Sequence, residues 1–153
     1  MSNSLSQTAQ EAAAWFFNDY FPTWVAAGAA KGMDGEKFIL GYWNVPLYTD
    51  ALGQNGWAMD AKGVLDFLGK NHGPLKEQGY THTVIPDRKV TSYSENSAGI
   101  EVIWSRRRAD ESEIQRLAVH FGVVKTPSGW RIITINGSPT TKDILAAHFG
   151  TAG

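Results

Sequence analysis

Residues 100–136 read IEVIWSRRRADESEIQRLAVHFGVVKTPSGWRIITIN. Three apolar runs, 100–108, 114–125 and 130–136, are separated by the polar stretches ADESE and TPSG. Runs rich in Ile, Val, Phe and Trp, bounded by turn residues and alternating with period two, are expected to be strands; such short turns make neighbours antiparallel. Pairing Ala109 with Ile114 and Lys125 with Trp130 then sorts the side chains. One face receives Val102, Trp104 and Arg106, then Leu117, Val119, Phe121 and Val123, then Trp130, Ile132, Thr134 and Asn136. The other receives Ile103, Ser105, Arg107, Arg116, Ala118, His120, Val124, Ile133 and Ile135. A register slip of one residue would mix the two sets, so their separation supports the register.

Upstream, the spacing predicts a helix over 7–29, with Ala13, Phe17, Tyr20, Phe21 and Trp24 recurring at helical intervals. Pro22 falls inside it and is expected to kink it, because proline lacks an N–H and crowds the carbonyl of the preceding turn. Gly28 and Gly32 close the segment. Residues 38–43 read as a short helix or strand leading into NVPLYTD, where Pro46 argues against a central sheet position. Gly53, Asn55 and Gly56 mark a turn. Asp60 is an N-cap for a second helix with Val64, Leu65, Leu68 and Leu75 on one stripe, broken or kinked at Gly73-Pro74 and ended by Gly79. A further strand is expected over 80–93 and a last helical piece over 141–149. Helices first and strands afterwards make an α+β domain, with helices laid on one face of a curved antiparallel sheet.

Composition sets limits on function. The chain of 153 residues is the size of one domain, read here as a core over 7–137 with a tail over 138–153. Hydrophobic content of 42% and charged content of 19% fit a folded soluble protein. A net charge of −1 disfavours nucleic-acid binding, which depends on neutralising phosphates. The chain has no cysteine, which removes disulfides and thiolate chemistry, and its four histidines show no metal-ligand spacing. No metal or cofactor is expected. The polar N-terminus lacks signal-peptide character and no run approaches a membrane span, so the expectation is a cytoplasmic protein with no membrane partner.

Taken in order, WFFNDYFPTWVAAG (15–28), DGEKFILGYWNVPLYTD (34–50), an amphipathic helix, and long strands ending TPSGWRIITING (126–137) resemble the NTF2-like superfamily. That superfamily also holds SnoaL-like and ketosteroid-isomerase-like proteins. More narrowly, VIWSRRRADESEI followed by GWRI is similar to uncharacterised bacterial NTF2-like proteins. The resemblance implies a cone, with a strongly bent sheet wrapped around the helices and a cavity at its open end (the cystatin-like arrangement). It implies a small, largely apolar ligand. Acid/base turnover of the isomerase, cyclase or dehydratase kind is open beside a non-catalytic binding or assembly role, because a fold alone does not choose. Ketosteroid isomerases use a helix-one tyrosine and two aspartates. Tyr20 and Asp50 sit in comparable places, but the inward positions of residues 100–108 carry Val102, Trp104 and Arg106, so that activity is not inherited.

Asp50 is a general base if it faces the cavity and is desolvated; otherwise it is a solvated aspartate at a turn. Arg106, two residues beyond Trp104, holds an anionic or carbonyl-bearing ligand, or else snorkels from a strand end. Thr134 and Asn136 fall on the same face and would add hydrogen bonds. His82 is an acid or base at the mouth, or a surface histidine. Tyr20, Trp24, Trp43, Tyr48, Trp104, Val119 and Phe121 are core first, and some of them line the cavity. The opposite face is too apolar for full exposure. Either it pairs in a homodimer through Ile103, Ala118, His120, Ile133 and Ile135, or the C-terminal tail folds back over it.

Overall fold

The computed structural model describes residues 3–29 and 35–153; Gly32, expected to close the first helix, lies outside them. Helix α1 (Leu5–Trp15) begins in a capping box. The Ser4 hydroxyl accepts from the Gln7 N–H, and the Gln7 side chain accepts from the Ser4 N–H. A π-helical turn (Phe16–Tyr20) follows, then α2 (Phe21–Ala29). The kink expected at Pro22 is taken up by this turn. Its wider ring, closed by the Phe21 N–H on the Phe16 carbonyl, makes room just before a residue that cannot donate. The turn buries Phe16, Phe17 and Tyr20 in sequence.

Helix α3 (Gly35–Tyr42) leads directly into β1 (Trp43–Ala51), which turns through Leu52 and Gly53, both at positive φ, into β2 (Gln54–Ala58). Asp60 caps α4 (Ala61–Glu77) by accepting from the Gly63 N–H at 2.8 Å. Gly73-Pro74 does not break this helix, which runs on to Glu77 and is followed, after Gln78, by Gly79 at φ +85°. Leu65, assigned to the buried stripe, is exposed; Val64, Phe67, Leu68, His72 and Leu75 are buried.

The run over 80–93 is two strands, β3 (Tyr80–Val84) and β4 (Arg88–Ser94). They are divided at Pro86, whose missing N–H cannot serve a ladder. Both pair with β5 (Ser97–Arg108), β4 with its first half and β3 with its second. β6 (Glu113–Thr126) and β7 (Gly129–Pro139) complete one sheet in the order β2-β1-β7-β6-β5-β3, with β4 also on β5. All pairings are antiparallel except β1 with β7, so the sheet is mixed rather than antiparallel throughout. β1 therefore has neighbours on both sides, against the expectation from Pro46. The proline is tolerated because it falls in the gap between the Trp43 and Tyr48 pairings with β7 and before the β2 pairing begins at Leu47.

The β5–β6 register pairs Trp104 with Leu117, two residues from the assumed one. A shift of two preserves the faces. Lys125 pairs with Trp130 as expected. A bulge then intervenes. Val123 pairs with Ile132, but Gly122 pairs with Thr134, leaving Ile133 over. Beyond that point the faces of β7 exchange. Ile135 turns into the main core, and Thr134 and Asn136 turn outward. Gly122 permits this, since a Cβ there would lie 2.7 Å from the Thr134 methyl.

The helices pack on the inner face in one aromatic core. Phe16 stacks on Trp104 at 6.1 Å and 11°, and Phe21 at 5.1 Å and 6°. Phe121 meets Phe16 at 4.9 Å. Trp130 donates its indole N–H to Glu11 at 3.2 Å. On the outer face, Ile103 and Ala118 are covered by Leu145 and Phe149 of the tail. The tail is pinned by the Leu145 N–H on Asp87, by Arg116 with Asp143, and by Ser138 with His148. Its helical content is one 3₁₀ turn (Leu145–Ala147), less than the expected helix over 141–149.

Candidate functional site

A cavity of about 710 Å³ opens between the inner face and α4. Its deep wall is aromatic, with Tyr20, Trp24, Trp43, Phe67, Trp104 and Phe121. Its mouth is framed by the β1–β2 turn, the start of β6 and the end of β7, which bring Asp50, Glu113 and Arg116 to the rim. Arg116 at this rim is already matched by Glu113 and Asp143.

The central polar group is Arg106, only 3% exposed. Trp24 and Trp104 pack on its guanidinium, with the carbon 4.0 and 4.8 Å from their ring centroids. Strand pairing sets Thr83 on one side of it and Gln115 on the other. One Nη donates to the Thr83 hydroxyl at 2.7 Å, and that oxygen lies 2.6 Å from the Tyr80 hydroxyl. Nε has no hydrogen-bond partner among the described residues. Among the described residues no carboxylate forms an ion pair with Arg106. Burial lowers its pKa to about 10, with Tyr80 and Tyr20 opposing the shift, so it stays cationic at neutral pH.

Other buried polar atoms without a partner among the described residues lie on the same wall: Trp43 Nε1, Asn71 Oδ1 and Gln115 Oε1. His72, on α4 behind Trp24 with ring centroids 4.4 Å apart, has an unpartnered Nε2. Burial, then the nearby Arg106 and Lys76 charges, lower its pKa to about 4, so it is a neutral imidazole at physiological pH. Burial also raises the Tyr20 phenol well above its usual range, keeping it a proton donor. Among the described residues no three His, Asp or Glu side chains converge as a metal site.

Of the residues nominated from the sequence, Tyr20, Trp24, Trp43, Trp104, Arg106, Val119 and Phe121 line the cavity. Asp50 stands at its rim but is exposed, 3.5 Å from the Asn136 amide, and lacks the desolvated setting assumed for a general base. Four nominated residues do not line it. Tyr48 alternates with the inward Leu47 and Thr49, and so faces outward against Trp57 and Asn55. Thr134 and Asn136 were turned out by the β7 bulge. His82 is at the sheet edge, 2.9 Å from Glu111 and hydrogen-bonded to Thr81. On the outer face, Ile103 and Ala118 lie under the tail and Ile135 is in the core. His120 faces Glu101 at 3.4 Å, and Ile133 is 37% exposed.

The sequence reading passed over His72, Asn71, Gln115 and Thr83. His72 is four residues from Leu68, and Gln115 two from Leu117, so helical and strand periodicity each carried a signal. Thr83 depends on the β3–β5 register and carried none.

A curved, open mixed sheet around N-terminal helices, enclosing a cavity, defines an NTF2-like domain. The family described as NTF2-like protein (DUF6841) matches residues 10–140, and the chain belongs to it. No curated protein sequence matches. Among solved structures, an NTF2-like protein with a cystatin-like fold from Novosphingobium aromaticivorans is similar at 18% identity, covering 86% of this chain and 82% of that one, with TM-score 0.62. An NTF2-like protein of unknown function from Pseudomonas putida KT2440 is similar at 14% identity, over 86% and 89% of the two chains, with TM-score 0.61. A DUF3225-family protein of unknown function from Pectobacterium atrosepticum gives 16%, 88%, 92% and 0.60. At these identities the likeness is one of fold.

Proposed function

We propose that this domain is a small-molecule pocket protein that takes up a largely apolar ligand. The observation that carries this reading is the cavity of about 710 Å³, aromatic on its deep wall, with four unpartnered buried polar atoms on the side chains that line it. An aromatic cavity with a few polar groups has the composition of a ligand site, and unpaired polar atoms destabilise a filled core. Binding is what this geometry supports best. Turnover of the isomerase, cyclase or dehydratase kind would use the Tyr20 phenol and the Arg106 guanidinium to hold a developing oxyanion. The test of the pocket is titration with N-phenyl-1-naphthylamine, a neutral apolar probe that fluoresces in dry sites. Saturable binding at one site per chain is expected, lost when Ala51→Phe narrows the mouth. Absence of saturable binding to the wild-type protein refutes the reading.

A second reading, a homodimeric assembly module, draws on the outer face. Trp57 is 63% exposed there, packed against Tyr48. Light scattering on the wild-type protein and Trp57→Ser tests it. A dimer that the variant dissociates is expected, and a monomeric wild type refutes it.

A further inference from the structure

Resting on the pocket reading, we infer that the ligand is a monocarboxylate, received by Arg106 as a built anion site with room for one negative charge. Three observations carry this. First, the guanidinium is a buried cation with no carboxylate partner among the described residues, and an isolated buried charge is costly unless something of opposite sign joins it. The chain keeps it inside an aromatic cavity although a methionine or leucine would pack there at lower cost.

Second, the group is held in place. The two indoles pack on the guanidinium, and the Thr83 hydroxyl, backed by Tyr80, takes one Nη. An arginine gripped by rings is approached along its hydrogen-bonding edges, in the guanidinium plane. A planar carboxylate meets such an edge with two parallel hydrogen bonds, which a carboxamide does not reproduce. Thr83 and Tyr80 are positioning residues in this arrangement, since they act through Arg106. Gln115, the cross-strand neighbour of Arg106, has an unpartnered amide oxygen and is placed to accept from a ligand hydroxyl or N–H beside the carboxylate.

Third, the rim limits the ligand's charge. Asp50 and Glu113 stand at the mouth, and the one arginine there, Arg116, is already matched by Glu113 and Asp143. A second negative charge on the ligand would lie toward these carboxylates, with no free cation among the described residues of the cavity wall to receive it.

The experiment compares three ligands of one shape by calorimetry at pH 7.5: 2-naphthoate, 2-naphthamide and naphthalene-2,6-dicarboxylate, with N-phenyl-1-naphthylamine binding measured in parallel. Wild-type protein is expected to bind the naphthoate at least tenfold tighter than either of the other two. Arg106→Gln is expected to reduce the acid-over-amide preference to about one while keeping the neutral probe. Thr83→Val is expected to weaken naphthoate binding severalfold without moving the neutral probe. If the wild-type protein binds the probe but holds naphthoate no tighter than naphthamide, absence of both included, the anion site is refuted and the pocket stands. If the dicarboxylate binds as tightly as the naphthoate, the limit to one charge is refuted. If nothing binds, probe included, both readings fall. The wild-type comparison decides even where a variant does not fold.

Discussion

Replacing Arg106 by methionine should make the unliganded protein more stable. The lowering of the Arg106 pKa from the usual arginine range to about 10 is equivalent to about 3 kcal/mol of net penalty on the charged form. Methionine keeps an unbranched apolar stem against Trp24 and Trp104 and removes the charge. It also removes the hydrogen bond to Thr83, a charge-assisted bond of about 1.5–3 kcal/mol, but the Thr83 hydroxyl keeps the Tyr80 hydroxyl and is not orphaned. The cation–π contacts, about 0.5–2 kcal/mol each, are exchanged for sulfur–aromatic contacts of similar size. The balance is a gain of up to about 1.5 kcal/mol, or a Tm higher by up to about 6 °C for a chain of this length. Urea unfolding followed by tryptophan fluorescence, with the slope compared between proteins, measures it. Arg106→Ala, which leaves a void between two indoles, should by contrast be destabilised. A methionine variant less stable than wild type by more than about 1 kcal/mol would show that Arg106 holds the fold together, and the penalty reasoning would be wrong. The same protein should gain about 2.7 kcal/mol from a ligand at one hundred times its Kd, and the methionine variant should gain nothing from an acid.

His72 makes stability fall with acid. Its folded pKa of about 4 lies below the free histidine value of 6.5. The unfolded chain therefore takes up a proton first, and the stability present above pH 6.5 is lost as pH falls toward 4, by up to about 3 kcal/mol. His72→Phe should flatten that part of the urea midpoint profile, and an unchanged slope would refute the assignment. Trp104→Ala should cost about 3–5 kcal/mol by chemical denaturation, since the ring touches Phe16, Phe21, Phe121 and Arg106. Removing residues 141–153 uncovers Ile103 and Ala118. The truncated protein should show a higher mass by light scattering at equal concentration, and an unchanged mass would mean that the tail is not what shields this face. Asp60→Ala should lower stability by about 1 kcal/mol through loss of the α4 cap, read by urea midpoint.

Much of this was legible along the chain because it depends on local periodicity. Alternation over 100–125 put Val102, Trp104 and Arg106 on one face with Leu117, Val119 and Phe121, and it did so although the assumed pairing was two residues off. An even error leaves every side chain on its own side of a pleat. Helical spacing likewise put Tyr20 and Trp24 inward, and Asp60 declared itself as a cap. The expectation failed where one residue breaks the count. The extra residue in β7 moved Thr134 and Asn136 out of the site and Ile135 into the core, and nothing local marks a bulge whose space is left by Gly122 on another strand.

The sequence by itself therefore determined the order of helices and strands, the faces of β5 and β6, and that an arginine stands among tryptophans. Only the tertiary structure decided that this arginine meets no carboxylate among the described residues, that His72 stays neutral behind Trp24, and that the tail covers Ile103 and Ala118. Face and period are properties of a few neighbouring residues, whereas the environment of a charge is the sum of contributions from β3, β5, β6, α2 and α4, which come together only when the chain is folded.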